Sequence, residues 1–336
     1  MALSPSDFRE MVVRRRDACV KFKDDKPRRN RKEALDFYNG KNLDVYGDSG
    51  DGLSTVVSRD VMESIESVMP PLVRPFVAGE QVVSFDPVED ADVDGAKQAT
   101  EYVNHIFRRH NNTLNIVETA LKDGLLFRLG VAKTVMEEED GESETYEGLT
   151  EAYLQALQAL AQDEGRELAG DITQDPATGL YGAVLTGKKI KKFRVHIIAP
   201  DEFLYEERLA CLDQATFLGH SKTAILADVI AMGIDKKRAL ALRSSKPSEE
   251  QDARYEDESD SHGDDWKDDD LARPVQIDEC YIRCDYNGDG VLEWRKVILG
   301  GAQKTLLSDE QADGHPYSTW TPIPMSHKLV GLSMFD

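Results

Sequence analysis

The sequence predicts an α+β fold, because helical and strand patterns arrive in runs rather than in strict alternation. Two observations carry this. Val61, Ile65, Val68, Met69, Leu72, Val73 and Phe76 trace one apolar stripe at the 3.6-residue period of a helix. Residues 275–298 instead read as two strands around a turn.

Taken in order, residues 1–32 form a basic start, with Arg14, Arg15, Arg16, Arg28 and Arg29 in it. Phe8, Met11, Val12 and Val20 give it a partial helical stripe. It reads as a surface helix followed by a basic turn at Pro27. These five arginines are the candidates for touching nucleic acid or an acidic neighbour; a solvated helix face is the competing reading. Ala34, Phe37 and Tyr38 continue as helix before a polar loop at 48–52. Ser58 or Asp60 caps the next helix, and Pro70 is expected to break or kink it near Met69. Gly79 stops it, and Gln81 to Phe85 reads as a strand closed by Asp86-Pro87.

Gly95 to His110 and Thr113 to about Leu129 are two further helices, the second ended by Gly130. Val131 to Met136 is a strand. Residues 137–176 turn acidic and read as an insertion: a loop, a short helix at 152–161 and a second loop. Tyr181 to His196 alternates as a strand, and Cys211 to His220 is strand-like. Lys222 to Gly233, with Thr223 as cap, and Asp235 to Leu242 are helical pieces. Residues 244–274 form a second acidic tract, read as a mobile loop or linker. Val275 to Ile298 is the hairpin, Lys304 to Leu307 a shorter strand, and Pro316 to Pro324 an extended piece. The domain reading is therefore 1–243, an α+β region with the insertion near 137–176; 244–274, a linker; and 275–336, a hairpin region.

Bulk properties narrow the function. A chain of 336 residues buries a large core. No apolar run approaches the roughly 18 residues of a membrane span, and no secretory signal opens the chain. Four cysteines, Cys19, Cys211, Cys280 and Cys284, make no disulfide framework and no zinc spacing. The net charge of −22 opposes tight duplex binding and does not exclude a partner that encloses DNA loosely.

Asp285, Asn287 and Asp289 occupy positions 1, 3 and 5 of a partial calcium loop, with Gly290 at position 6. Position 12, where calcium needs a bidentate Glu, is Lys296. Asn-Gly and Asp-Gly equally favour a tight hairpin turn. Ca2+ at this loop is the one cofactor the sequence raises. No P-loop, GxSxG or HExxH occurs, so no catalytic residue is assigned and the chain is not read as an enzyme. Asp285 with Glu293 would be the acid–base pair of a carboxylate-dependent hydrolase.

Five stretches in order resemble the portal proteins of P22-like short-tailed bacteriophages. They are SRDVMESIESVMPPLVRPFVAGEQVVSFDP, DGLLFRLGVAKTVM, PDEFLYEERLACLDQATFLGHSKTAILADVIAMG, YIRCDYNGDGVLEWRKVILGG and HPYSTWTPIPMSHKLVGLSMFD. The fourth resembles the family's Asp-x-Asp-Gly-Asp-Gly hairpin, with Asn287 at the third position. The resemblance implies a portal-type wing of helices and mixed or antiparallel strands, with a clip- or stem-like region near the C-terminus. It implies a homo-oligomeric ring, commonly a dodecamer, at one capsid vertex of the virion, assembled in the host cytoplasm. Double-stranded DNA passes through such a ring during packaging and ejection. Terminase, capsid and scaffolding proteins and tail adaptors are its partners; a membrane is not. Portal subunits are longer, so the chain reads as the N-terminal half of one. The runner-up function is a calcium-binding structural or adaptor protein built on the Asp285 loop.

Overall fold

A computed structural model describes residues 3–41, 58–79, 81–164, 166, 168–174, 179–243 and 271–336. The second acidic tract, apart from its last four residues, and the polar loop at 48–52 lie outside them.

Helix α1 (Pro5–Asp24) starts where Ser4 Oγ accepts the Asp7 N–H at 3.2 Å, with Pro5 at the first position. Its buried face is Phe8, Val12, Arg16 and Cys19, one stripe of steps four, four and three. Helix α2 (Lys26–Asn39) ends at Gly40, whose φ of 67° is the left-handed cap glycine adopts freely. Helix α3 (Asp60–Ala78) runs unbroken through Pro70, Pro71 and Pro75. The expected break at Met69 is absent because the prolines lie on the exposed side. Carbonyls they orphan there can turn to water, while Ile65, Met69 and Val73 hold the buried side in register.

The strand expected at Gln81 to Phe85 does not form. Its extended backbone is satisfied by side chains of helix α4 (Val93–His105) instead. Val83 N–H donates to Asn104 Oδ1 at 3.3 Å and Phe85 N–H to Thr100 Oγ1 at 3.0 Å, and Asn104 Nδ2 donates back to the Val83 carbonyl at 2.8 Å. A π-helical turn, Ile106–His110, follows α4. Helix α5 (Thr113–Phe127) is closed by Arg128, at φ 76°, rather than by Gly130. Gly130 has a different duty. The Trp320 indole packs where a Cβ on Gly124 or Gly130 would sit, and its Nε1–H donates to the Ala120 carbonyl at 2.7 Å.

Strand β1 (Gly130–Asp140) comes next. The acidic insertion then proves to be folded: β2 (Glu144–Leu149), helix α6 (Glu151–Glu164), β3 (Leu168–Gln174) and β4 (Tyr181–Leu185). The three strands form a sheet in order β2-β4-β3, and Leu154, Leu157 and Ala161 of α6 pack on Ala183 and Leu185. The expected helix is there; in place of the expected loops stand strands, with Glu144 and Glu147 of β2 exposed.

Strands β5 (Lys189–Ile198), β6 (Phe203–Tyr205) and β7 (Phe217–Ile225) lead to helices α7 (Leu226–Ala231) and α8 (Lys236–Leu240). Thr223, expected to cap a helix, lies inside β7 and pairs with Gln276. Strands β8 (Pro274–Cys284), β9 (Glu293–Gly300), β10 (Thr305–Ala312) and β11 (Tyr317–Trp320) complete the chain. One antiparallel sheet has the order β10-β9-β8-β7-β6. Alternation sends Leu204, Phe217, Cys280 and Ile282 to one face, where α1 lays Phe8, Val12 and Cys19 over them. Phe203, Tyr205, Leu218 and Tyr281 go to the other, under Leu129, Val131 and Tyr317. Both faces of β8 are covered: Val275, Ile277, Cys280, Tyr281, Ile282 and Cys284 are buried, and so is the carboxylate of Asp278.

The chain makes two compact units. One is Met1–Val82, Thr113–Lys133 and His196–Asp336; the other is Val83–Asn112 and Thr134–Val195. The linear division at 243 and 274 does not follow them. Strand β8 pairs along its length with β7, so 196–243 and 275–336 share one sheet.

Candidate functional site

The basic start is the first candidate, and the structure divides its arginines. Arg14 and Arg29 are exposed, and Arg28 is half-buried. Arg15 is turned to the sheet side, donating to Thr216 Oγ1 at 2.8 Å; that hydroxyl donates to Glu206 Oε1 at 2.6 Å. Arg16 is buried, on the same stripe as Phe8 and Val12, so it cannot serve as a surface contact. Its Nε lies 3.0 Å from Asp278 Oδ2, on a side chain with 0 % exposure. Lys304 Nζ reaches the same oxygen at 2.8 Å. Burial pushes the Lys304 ammonium below its ordinary range, against the pull of Asp278. Asp278 Oδ1 accepts the Ser221 hydroxyl at 2.5 Å. At the ends of α1, Arg9 donates to the Lys304 and Gln303 carbonyls at 2.9 and 2.6 Å, and Lys23 to the Asp201 carbonyl at 2.6 Å.

Half of the arm is therefore a clamp that fixes α1 to the sheet, and the rest is a cationic surface. Sequence reasoning missed Asp278 and Lys304. One signal was available: steps of four from Phe8 and Val12 land on Arg16, and an arginine on a buried stripe requires a carboxylate partner.

The Asp285 loop joins β8 to β9. The Asp285 carboxylate accepts the backbone N–H of Gly288, Asp289 and Gly290 at 2.7, 3.1 and 3.0 Å, and Asp289 accepts that of Val291 at 2.8 Å. Gly288 and Gly290 hold φ of 78° and 86°. Between them, Tyr286 and its neighbours tie the loop inward. Tyr286 meets Phe8 edge-on at 5.1 Å, and the Arg295 guanidinium lies 3.8 Å above the Tyr286 ring. Asp285 and Asp289 thus close a hairpin turn. Among the described residues no group of three or more His, Cys, Asp or Glu is arranged to hold a metal ion. Glu293 pairs loosely with Arg295, at 3.9 Å, and sits on β9 as part of the ladder with Cys284.

A second polar cluster lies beneath β11. Lys133 Nζ is 2.6 Å from Glu279 Oε2, the Tyr281 hydroxyl donates to Glu279 Oε1 at 2.8 Å, and His220 Nδ1 is 2.8 Å from the Tyr317 hydroxyl. Burial pushes the His220 imidazole down to about 4. Burial opposes ionisation of Glu279, yet the Lys133 ammonium holds its carboxyl at about 2. These groups are matched to one another. Three of the four thiols are buried: burial pushes Cys19 up to about 12 and also raises Cys280 and Cys284, while Cys211 is exposed.

Among the described residues no helix is long and apolar enough to cross a membrane. A search of curated proteins finds none that matches the chain. The model of a protein family described as phage SU10 portal protein matches residues 8–336. The portal resemblance of the five motifs is borne out at that level, with phage SU10 rather than a P22-like phage giving the family its description. The family match over nearly the whole length shows the family: the chain belongs to the phage SU10 portal protein family, a structural family of the virion.

Proposed function

We propose that this chain is the repeating subunit of a dodecameric ring at one capsid vertex. In this reading double-stranded DNA passes through the ring during packaging and ejection, and terminase, tail adaptors, capsid and scaffolding proteins dock on it during assembly in the host cytoplasm. The observation that carries the reading is the family match across residues 8–336. Physical chemistry supports it twice. A chain of net charge −22 repels phosphates, so DNA slides rather than sticks. A ring needs two different complementary faces on each subunit, and this sequence segregates charge. Arg14, Lys21, Lys26, Arg29 and Lys32 are exposed on α1 and α2, while carboxylates crowd 137–147 and 256–270. Because β8, β9 and β10 are integral to the large sheet, 275–336 belongs to the wing in this reading rather than to a separate clip or stem.

Light scattering on a size-exclusion column, followed by negative-stain imaging, tests it. The expected particle is a ring with a central hole. A monomer at every concentration and salt would remove the ring. No observation favours the calcium-binding or hydrolase alternatives.

A further inference from the structure

One cavity stands apart from the rest of the molecule in charge. It lies among α2, the end of α5 and the segment 325–335, all within one compact unit, and holds about 670 Å3. Its floor is apolar, with Phe22, Ala34, Leu129, Tyr205 and Leu329. Its rim carries Lys26, Arg31, Arg128, Arg208 and Lys328. Glu207 is the one carboxylate of the lining, and Asp336 pairs with Arg128. A net positive rim is anomalous in a chain of net charge −22.

The backbone adds a second observation. Arg128, Arg208 and His327 hold φ of 76°, 64° and 61°, and all three line this cavity. Lys304 is the only other described non-glycine residue in that region of φ. Glycine would occupy these positions with less strain, but it would bring no cation. The side chain of Arg208 is 90 % exposed and pairs only loosely with Glu207, at 3.8 Å, so its charge can be taken up by what enters.

We propose that this cavity receives the acidic tract of a neighbouring copy, residues 255–270. The proposal rests on the ring reading above. The tract reads YEDESDSHGDDWKDDD, with nine carboxylates against one lysine. Tyr255 and Trp266 supply rings that an apolar floor can bury. That floor favours a peptide over a DNA backbone, which offers phosphates and no apolar side chain. A tract of one copy received by a cavity of the next is a heterologous contact, the kind a ring requires.

The test is fluorescence anisotropy of a labelled 255–270 peptide titrated with the full chain. Saturable binding is expected, weaker in high salt and about tenfold or more weaker for Lys26→Glu with Arg208→Glu, both exposed positions. A Trp266→Ala peptide should also bind less well. No saturable binding, equal binding by a scrambled peptide, or indifference to the two reversals would overturn the proposal. So would Arg208-dependent binding of duplex DNA with the peptide inert. Mixing separates neighbour from self. A chain with the reversed cavity and a chain with a neutralised tract should each associate poorly and recover association together; no recovery overturns docking between copies. Light scattering of the unaltered chain reports the ring separately. A monomer that still binds the peptide through Arg208 removes the ring and keeps the pairing of cavity and tract.

Discussion

Asp278 and Glu139 each hold two cations, one in each compact unit, and they sit at opposite ends of burial. Asp278 on β8 meets Arg16 at 3.0 Å and Lys304 at 2.8 Å with its side chain 0 % exposed. Glu139 on β1 meets Lys192 at 2.6 Å, together with Arg194, with its side chain 37 % exposed. The first joins a helix to a strand and to the turn that precedes β10. The second links strands that are already paired. Water decides what each is worth: it screens the Glu139 group and leaves nothing to replace a lost partner at Asp278.

The sharpest way to break the contrast is Asp278→Ala. It removes the buried carboxylate that Arg16 and Lys304 share, leaving Arg16 only the exposed Asp17, at 2.9 Å. A loss of about 3–5 kcal/mol is expected, read from the midpoint of urea unfolding followed by tryptophan fluorescence. A loss near zero would mean that water reaches the site and that the two carboxylates are alike.

The second effect is a pH dependence. His220 is neutral in the fold because burial pushes its pKa from 6.5 down to about 4. The unfolded chain takes up a proton there first as pH falls. Stability is therefore fully present above pH 6.5 and declines between 6.5 and about 4. His220→Gln should flatten unfolding midpoints across that window; an unchanged slope would assign it to another group. Glu279, held at about 2 by Lys133 against its burial, contributes in a lower window, from its ordinary 4.5 downward.

The smallest effect belongs to Glu139→Gln. Hydrogen bonds from Lys192 and then Arg194 hold the Glu139 carboxyl at about 2, so its contribution is present above the ordinary 4.5 and fades as pH falls toward 2. Exposure leaves little to lose. The urea midpoint at neutral pH should stay within experimental error of the parent, in low or high salt. A clear drop would place this cluster beside Asp278 and dissolve the comparison.

Much of the candidate site was legible where its cause is local. The Asp285 hairpin is readable because Asn-Gly and Asp-Gly need only their own left-handed backbone. The buried side of α3 is readable because period alone sets it. Arg16 was not read correctly, although its phase was on the page, because a charged residue counts as surface until its partner is known. The strands of the acidic insertion were hidden for the same reason: β2 and β3 exist because β4 lies between them, and β4 follows only after α6.

What the sequence determined by itself was the α+β class, the phase of its helices, the hairpin and, through the order of its motifs, the portal family. Only the tertiary structure decided that α3 runs through three prolines, that residues 196–243 and 275–336 share a sheet, and that Asp278 is the counter-charge of α1. Periodicity is a property of neighbouring residues. Burial is a property of whatever the fold brings over them, and it sets both the water a proline's orphaned carbonyl can reach and the strength of an ion pair.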